Sequence, residues 1–418
     1  MSSRQNPTMR VLQIAPRVCW PLDTGAKRRN YHLGRIATEH AIVTLLAFSE
    51  GPRTGGDLEN LYRYVFAVPR DRHNSFPKIL RGAIGRTPLP LLNLTTRKMK
   101  QELKSIFTSQ VFDIVQFESI HLMPYLPIIR SARKRPLAVL DWHNIESELM
   151  QQYSDRESNV FRRAYARRTA RLMREFERRA LREFDAHAVV SHKAAAQLRH
   201  LNPDARIFVI ENGVDTAYYS DVATNASDGA ATKNRVVLVA PMDNQTNIDA
   251  VASFARDVWP RVRKDKAELI LTIVGSDPAP EVRELASVPG VEVTGTVGDV
   301  RPYYREALAA IVPFRVGGGS ERKILEAMAA GVPVISTTLG AEGLDVKTGE
   351  NILIANSDEE LREAIIDLSE KEDLSTKLIE AGRALVSKRY DWSIIGARLV
   401  EMYQSLLRET SAHSASQR

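Results

Sequence analysis

Cysteine is almost absent from this sequence, and its scarcity excludes several kinds of protein. Cys19 is the only cysteine, so the chain can form no internal disulfide, CxxC redox pair or cysteine-rich zinc site. No apolar run approaches the roughly 18 residues that a membrane-spanning helix needs. The opening segment "MSSRQNPTMR" lacks the apolar stretch of a secretory signal. We therefore expect a cytoplasmic protein.

Several binding-site patterns are missing as well. The first apolar run continues into "IAPRVCWPLDTGAKRR", without the G-x-G-x-x-G turn that an NAD-dependent oxidoreductase needs. The sequence has no DxD pair and no histidine and carboxylate cluster at zinc spacing. We therefore expect no metal ion and no cofactor.

Positive charge is in excess. Lys and Arg number 58 against 51 Asp and Glu, which gives a net charge of +7 and a pI near 9.4. This balance favours an anionic partner, which can be nucleic acid, phospholipid or a phosphorylated small molecule. The length of 418 residues suggests two domains, and the 44% hydrophobic content is ordinary for a soluble globular chain.

Short Val-, Ile- and Leu-rich runs alternate with helical periodicity in two blocks. The predicted strands begin near Val11, Ala41, Tyr64, Phe112, Leu137, Ala186 and Arg206, and then near Val236, Leu269, Val291, Ala309, Val332 and Ile352. Runs without strict alternation are typical of parallel strands buried on both faces. The pattern predicts an α/β fold with two Rossmann-like domains whose parallel sheets face each other across a cleft.

Composition gives the predicted boundaries. The first domain is placed at residues 1–215 and the second at 235–392, joined by a small, polar linker at 216–234. A terminal helix at 393–410 is expected to cross back to the first domain. The tail at 411–418 is expected to be disordered.

The stretch "FRVGGGSERKILEAMAAGVPV" is the most informative motif. A strand runs into three glycines, Ser320 is placed to cap the following helix, and Gly331 ends it. Glycines without side chains let backbone N–H groups approach a ligand, and a helix N-terminus offers unpaired donors and a positive dipole end. The motif therefore predicts an anion cradle suited to phosphate.

Glu326 lies about a turn and a half inside this helix. It can be a solvated surface glutamate, or it can accept a pair of hydroxyl hydrogen bonds, as from a ribose. Spacing alone leaves both interpretations open.

The chain resembles glycosyltransferase family 4, which has the GT-B fold, over most of its length. Five segments carry the resemblance in family order: "MRVLQIAPRVCWPLDTGAKRRNYHL", "VLDWHNIES", "VIENGVDTAYY", "APMDNQTNIDAVASFARDVWP" and "GGGSERKILEAMAAGVPVISTTLGAEGL". The fourth is similar to a bacterial subgroup tied to exopolysaccharide assembly. The resemblance implies an acceptor-binding first domain and a second domain that binds a nucleotide sugar.

The resemblance also implies site residues. His143 matches the first-domain histidine near the transferred sugar, and Glu326 matches the second glutamate of the E-x₇-E motif, which holds the ribose. The implied donor-binding residues are Gly25, Arg315, Gly318, Gly319, Ser320, Glu321, Arg322, Lys323 and Glu326. We predict no metal ligand among them.

The sequence departs from the family pattern at three places. The first motif glutamate is replaced by Gly318, and the glycine loop is reduced to a single glycine followed by Ala26. The arginine and lysine that usually flank the diphosphate are missing from the turn containing Ala240 and Pro241 and from Thr246 or Asn247. Arg315, Arg322 or Lys323 is expected to supply that charge.

The implied activity is a retaining, metal-independent transfer from a nucleotide-diphosphate sugar, the co-substrate, to a glycan or lipid-linked acceptor. Same-face attack needs no protein nucleophile, and His143 would support the transition state. A role in cell-surface polysaccharide synthesis is the expected context. A catalytically silent or divergent GT-B nucleotide-binding partner protein is the alternative.

An arginine-rich helix is predicted from Phe161 to Phe184. Its apolar stripe (Phe161, Tyr165, Leu172, Phe176 and Ala180) can pack on the domain, or its arginines from Arg162 to Arg182 can attract anionic lipid. The segment from Phe76 to Lys100 is a second candidate for peripheral contact with the inner face of the plasma membrane. The helix lacks dimerisation heptads and the chain lacks a reader motif, so we expect no nucleic-acid partner.

Overall fold

The computed structural model describes residues 9–51, 56–70, 78, 81–82, 84–224, 233–242, 245–315 and 321–416. The chain divides into two compact units, Met1–Glu211 with Ile395–Arg418, and Asn212–Ile394. Each unit is built on its own parallel sheet. In the described part of the chain, no helix is both long enough and apolar enough to cross a membrane.

The first unit contains a seven-stranded sheet in the order β3-β2-β1-β4-β5-β6-β7. Its strands are β1 Arg10–Ala15, β2 Ile42–Ser49, β3 Tyr64–Pro69, β4 Ile114–Phe117, β5 Leu137–Trp142, β6 Ala186–Val189 and β7 Ile207–Val209. Its helices include α1 Gly25–His40, α2 Gly56–Leu61, α3 Leu89–Asn93, α4 Arg97–Ser109, α5 Leu126–Arg130, α6 Glu146–Arg156, α7 Val160–Glu183 and α8 His192–Leu201, with a 3₁₀ helix at Ile120–Tyr125.

The second unit contains a six-stranded sheet in the order β10-β9-β8-β11-β12-β13. Its strands are β8 Arg235–Val239, β9 Ile270–Val274, β10 Val291–Gly295, β11 Ala307–Val312, β12 Val334–Ser336 and β13 Leu353–Ile354. Its helices include α9 Thr216–Thr224, α10 Gln245–Ser253, α11 Trp259–Asp265, α12 Pro280–Arg283, α13 Arg301–Arg305, α14 Glu321–Ala329, α15 Asp358–Glu370 and α16 Glu372–Leu385. A 3₁₀ helix spans Glu284–Ser287, and π-helical turns span Phe254–Val258 and Val386–Tyr390. The last helix, α17, spans Trp392–Ser416.

The predicted fold is confirmed strand by strand. Every predicted apolar run forms a strand, seven in the first sheet and six in the second, and all recorded pairs are parallel. The reason is burial on both faces: in β5, which lies inside the sheet, the consecutive residues Ala138, Val139 and Leu140 are all fully buried.

Two predicted boundaries differ from the structure. The predicted linker begins with a helix, α9, because its buried Tyr219 and Val222 give it an apolar face, and Asp391 accepts hydrogen bonds from the backbone and hydroxyl of Thr216. The predicted disordered tail is helical as far as Ser416, because α17 continues there. Small polar residues such as Ser411, whose hydroxyl donates to the Leu407 carbonyl, do not interrupt it.

The last helix completes the first unit. Ile395, Leu399 and Leu406 of α17 are buried. The side chain of Arg398 pairs with Glu211 at 2.6 Å, and the Tyr403 hydroxyl donates to Gln116 in β4. Residues 395–416 thus add apolar and polar contacts to the first unit, although they follow the second unit in the sequence.

Candidate active site

The chain order of each sheet reverses at one pair of neighbouring strands. These pairs are β1 and β4 in the first sheet and β8 and β11 in the second. In open parallel sheets the loops diverge at this point and leave a crevice at the carboxyl ends of the strands. The functional residues of each unit are therefore sought beside these strand ends.

The first unit brings three titratable side chains together at this edge. Glu118 directly follows β4, Asp141 lies near the end of β5, and His143 follows the same strand. The Nε2 atom of His143 lies 3.4 Å from Glu118 Oε2 and 3.8 Å from Asp141 Oδ2. Both carboxylates are fully buried, whereas the His143 side chain is 16% exposed.

Asp141 is held by a buried arginine. Arg29 of α1 donates from Nε to Asp141 Oδ2 at 2.9 Å and from Nη2 to Oδ1 at 3.0 Å. Its Nη1 donates to the Glu211 carbonyl at 2.9 Å. A bidentate guanidinium neutralises the carboxylate and joins α1 to the end of β5.

Glu118 is held by neutral amides. Gln13 of β1 and Gln116 of β4 donate to Glu118 Oε1 at 2.7 and 2.8 Å. The Tyr62 hydroxyl in turn donates to Gln13 Oε1 at 2.9 Å. Because these hydrogen bonds hold Oε1, the orientation of the carboxylate is fixed, and its second oxygen, Oε2, faces His143.

This geometry selects one form of the His143 ring. Carboxylate oxygens only accept hydrogen bonds, so the nitrogen that faces Glu118 and Asp141 carries the hydrogen. When the imidazole is neutral, its Nδ1 atom is then an acceptor. His143 therefore presents an acceptor nitrogen from a ring that its neighbours hold in place.

Two more titratable groups lie beside this cluster. Burial raises the pKa of Glu146 to about 7, with Glu177 adding to the rise and His143 opposing it. Burial lowers the pKa of His121 to about 4. Their contact, 3.9 Å between His121 Nε2 and Glu146 Oε2, therefore joins a neutral imidazole to a partly protonated carboxyl at neutral pH.

In the second unit, α14 presents Lys323 beside the end of β11. The Lys323 ammonium donates to Asn247 Oδ1 at 2.9 Å and lies 4.2 Å from the centre of the Phe314 ring. Asn247 also donates to the Pro241 carbonyl at 2.6 Å in the loop after β8. Burial lowers the pKa of Lys323 to about 8, Arg322 adds to the lowering, and Glu326 opposes it.

Glu326 faces inward, one turn further along α14. It is 7% exposed, and its Oε1 lies 3.3 Å from Arg322 Nε. The interpretation as a solvated surface glutamate is therefore wrong. The structure contains a buried carboxylate three residues after Lys323, which puts both on one side of the helix.

The remaining predicted residues are distributed as follows. Arg315 pairs with Asp358 at the start of α15, so its charge is partly neutralised. Gly25 begins α1, which Thr24 caps by accepting from the Lys27 amide at 3.3 Å. Gly318, Gly319 and Ser320 lie outside the described residues. Glu321 begins α14, but its side chain also lies outside the described part.

A cation could in principle be bound by Glu118, Asp141 and His143, whose ligand atoms lie within 4.8 Å of one another. The existing hydrogen bonds argue against this use. Both oxygens of Asp141 are engaged by Arg29, and Glu118 Oε1 accepts from two amides. The guanidinium already supplies the positive charge that a metal ion would bring.

Glu118 and Asp141 were not predicted from the sequence. They are far apart along the chain, and no local spacing joins them. The available signal was topological, since each follows or ends a buried apolar run, "FDIVQFES" and "LAVLDW", and the carboxyl ends of parallel strands meet at one edge.

Sequence comparisons agree with this architecture. The model described as Glycosyltransferase Family 4 matches residues 25–218, and the model described as Glycosyl transferases group 1 matches residues 233–371. The phosphatidyl-myo-inositol mannosyltransferase of Propionibacterium freudenreichii is 30% identical over 239 residues, which cover 54% of this chain and 57% of that protein. The matched segment thus spans little more than half of the relative's length.

Solved structures share the fold. Sucrose-phosphate synthase from Thermosynechococcus elongatus superposes with a TM-score of 0.69 at 17% identity, covering 96% of this chain and 100% of that one. Anabaena Alr3699/HepE in complex with UDP and glucose gives a TM-score of 0.62 at 16% identity, covering 94% and 99%.

Two parallel-sheet Rossmann-like domains of this kind define the class of GT-B glycosyltransferases. The two family matches lie in succession, one on each domain. The chain belongs to glycosyltransferase family 4.

The buried ion pair leads to a prediction about stability. Asp141→Asn keeps the shape of the side chain but leaves the Arg29 guanidinium buried without a counter-charge, which costs about 3–5 kcal/mol. We expect a large fall in the thermal and urea midpoints of the first unit. The control is Glu183→Gln, which breaks the exposed ion pair with Arg179. It should lower the free energy of unfolding by about 1 kcal/mol or less. Equal effects from both substitutions would contradict the importance of the buried pair.

Proposed function

We propose that this protein transfers a sugar from a nucleotide-diphosphate sugar to a glycan or lipid-linked acceptor, with retention of configuration and without a metal ion. The observation that carries the proposal is that a half-buried ammonium, Lys323, and a buried carboxylate, Glu326, lie on one side of α14 at the reversal point of the second sheet. Family membership supports the same conclusion.

Lys323 is suited to bind the diphosphate. Its partial burial reduces the screening of its charge by water, and Asn247 and Phe314 fix its direction. An anion beside it restores the environment that a charged ammonium needs. The charge growing on the leaving diphosphate would be stabilised in the same way, and losing one such group typically costs roughly 3–4 kcal/mol of barrier.

Glu326 is suited to bind the ribose. A carboxylate can accept two hydroxyl hydrogen bonds at once, and Glu326 holds this group at a buried position of α14. Arg322 lies 3.3 Å from its Oε1 atom and helps to orient it. The backbone amides of residues 319–321 would complete the donor site at the diphosphate.

His143 would act on the transferring sugar. Its Nδ1 acceptor can receive a hydrogen bond from a sugar hydroxyl while Glu118 holds the opposite side of the ring. The acceptor proton would pass to the leaving phosphate on the same face, so no protein nucleophile is required. Glu118 is therefore a positioning residue and His143 the proposed catalytic one.

The acceptor is proposed to be glycan or lipid-linked, in cell-surface polysaccharide synthesis. The relatives are named phosphatidyl-myo-inositol mannosyltransferases, in Propionibacterium freudenreichii and in Mycobacterium leprae. These names favour a lipid-linked acceptor and a hexose as the transferred sugar.

A lipid-linked acceptor implies a peripheral membrane contact, which we place at the tip formed by the end of α6 and the start of α7. Three apolar or aromatic side chains there, Tyr153, Val160 and Phe161, are 49%, 62% and 87% exposed. The stripe packs on the first unit in its second half, where Phe176 contacts the core and Ala180 is buried, but not at Phe161 and Tyr165, which are exposed. Exposed arginines follow at Arg162, Arg167, Arg171, Arg174, Arg178, Arg179 and Arg182.

The second candidate segment, Phe76 to Lys100, is only partly among the described residues. Within that part, Ile84 is 75% exposed, and Arg168 of α7 donates to the carbonyls of Gly82 and Gly85. This segment therefore borders the arginine-rich helix and would contribute to the same membrane surface.

A catalytically silent partner protein remains the second candidate because Gly318 replaces the carboxylate that the family uses for the donor sugar. The two functions differ in turnover. Slow release of free sugar from a nucleotide sugar requires no acceptor and would support the enzyme.

Donor binding gives a prediction for the second unit. Glu326→Ala and Lys323→Ala should each weaken binding of UDP or GDP, the former through lost ribose hydrogen bonds and the latter through a lost charge. Charge-assisted hydrogen bonds suggest roughly a tenfold to hundredfold loss. Isothermal titration measures it. Lys347→Gln, at an exposed position, serves as the control; unchanged binding in both site variants would reject the proposed donor site.

The first unit gives a prediction about turnover. His143→Ala should lower the rate of donor hydrolysis roughly 10- to 100-fold with little change in nucleotide affinity. Glu118→Gln, whose amide oxygen still accepts from the ring, should retain more activity than Glu118→Ala. A screen of nucleotide sugars that gives no hydrolysis in the parent, while nucleotides bind, would favour the silent partner. Equal loss in both Glu118 variants would remove the positioning role.

The membrane contact is tested by liposome flotation. The parent should float with anionic vesicles and remain behind with neutral ones, because each basic residue near the surface contributes roughly 1 kcal/mol. Phe161→Ser combined with Arg162→Gln should reduce recovery at constant donor hydrolysis. Arg256→Gln in the second unit is the control. Equal recovery with neutral and anionic vesicles would reject the electrostatic contact.

A further inference from the structure

A second polar cavity lies in the second unit, away from the proposed donor site. It has a volume of about 80 Å³, several times the roughly 10–15 Å³ that one water molecule needs. Eight described residues line it, among them Lys233, Arg305, Gly331 and Arg383. Three of these eight residues are cationic, and they come from three separate segments.

The sheet brings two of the cations together. Lys233 precedes β8 by two residues and Arg305 precedes β11 by two residues. These strands are neighbours and pair in register, with Arg235 opposite Ala307. Parallel pairing therefore sets both cations at the amino edge of the sheet, opposite the edge at which the proposed donor site lies.

The third cation is placed by a glycine. Gly331 ends α14 with φ of +73°, and a Cβ atom there would lie 3.4 Å from Arg383 Nε and 3.6 Å from its Cζ. The guanidinium of α16 thus packs against the bare Cα of Gly331. At this positive φ a larger residue would strain the backbone, although its Cβ atom would make an ordinary contact with Arg383.

The described lining of the cavity carries positive charge. None of the described lining residues is acidic. Glu306, next to Arg305, is paired with Arg235 at 3.0 Å instead. Partial desolvation lowers the pKa of Lys233, whose side chain is still exposed. Like charges that line one cavity repel one another, and an anion among them reduces that repulsion.

We propose that Lys233, Arg305 and Arg383 form a second anion site, which binds the phosphate group of a phosphorylated small molecule or of a lipid headgroup. A tetrahedral oxyanion offers several acceptor oxygens, which match the guanidinium forks of two arginines and the point charge of a lysine. The site is separate from the proposed donor site, since it contains none of the residues assigned to the donor.

The position of the site suggests a regulatory role. α14 extends from the donor residues, Lys323 and Glu326, to Gly331 in the cavity wall. A bound anion would link the end of this helix to the start of β8. Occupancy would thus restrain the helix that presents the donor residues.

Phosphate binding by the full-length protein tests the site. Inorganic phosphate, compared with chloride at equal ionic strength, should raise the Tm of the parent, because a ligand that binds only the folded state stabilises it. A variant carrying Lys233→Gln, Arg305→Gln and Arg383→Gln should bind phosphate at least about tenfold more weakly, as measured by ³¹P NMR titration. The single Arg305→Gln variant, changed at an exposed side chain, serves if the triple variant folds poorly.

Two matched variants separate this site from other effects. Arg256→Gln with Lys264→Gln and Lys377→Gln removes the same charge from exposed positions of the same unit and should keep the phosphate response. Lys323→Ala should also keep it, which separates the cavity from the proposed donor site. Flotation with phosphatidate vesicles distinguishes the lipid source, since only a headgroup site would lose recovery in the cavity variant. If the cavity variant responds to phosphate and to these vesicles as the parent does, or if the parent responds to neither, the proposal is overturned.

Discussion

Parallel pairing of strands is the constraint on which this structure depends. When neighbouring strands run in the same direction, all their carboxyl ends lie at one edge, and each connection must return across a face of the sheet. Side chains far apart in sequence then meet without any local motif. Glu118 and Asp141 meet in this way after β4 and β5, and Lys323 and Asn247 meet beyond β11 and β8. The amino edge obeys the same rule, which brings Lys233 to Arg305.

The two units solve the problem of buried charge differently. In the first, the Asp141 carboxylate and the Arg29 guanidinium neutralise each other through two hydrogen bonds, and this buried ion pair has a structural role. In the second, the direct partners of Lys323 among the described residues are an amide oxygen and an aromatic face. An ammonium held by neutral partners can still bind an anion, whereas the carboxylate of Asp141 already neutralises Arg29.

The sequence was sufficient to predict the strands and the helix that carries Lys323 and Glu326, because burial on both faces and the helix-ending Gly331 leave local signals. It was not sufficient to predict the network around His143. The partners of Glu118 come from β1 and β4, and their contact depends on strand order rather than on spacing. Periodicity alone could not show which part of the α7 stripe packs, because Phe161 and Tyr165 are exposed at the start of the helix while Ala180 is buried near its end.

The discontinuity of the first unit has a consequence for its biosynthesis. Residues 395–416 leave the ribosome only after the whole of the second unit, yet they supply Tyr403 for Gln116 and Arg398 for Glu211. Domains usually become native in the order of translation. Here the second unit can fold first. The first unit meanwhile lacks α17, so the apolar groove that Leu399 and Leu406 fill is still exposed. A nascent chain halted before residue 395 would therefore expose that groove to chaperones, however well its seven strands had paired.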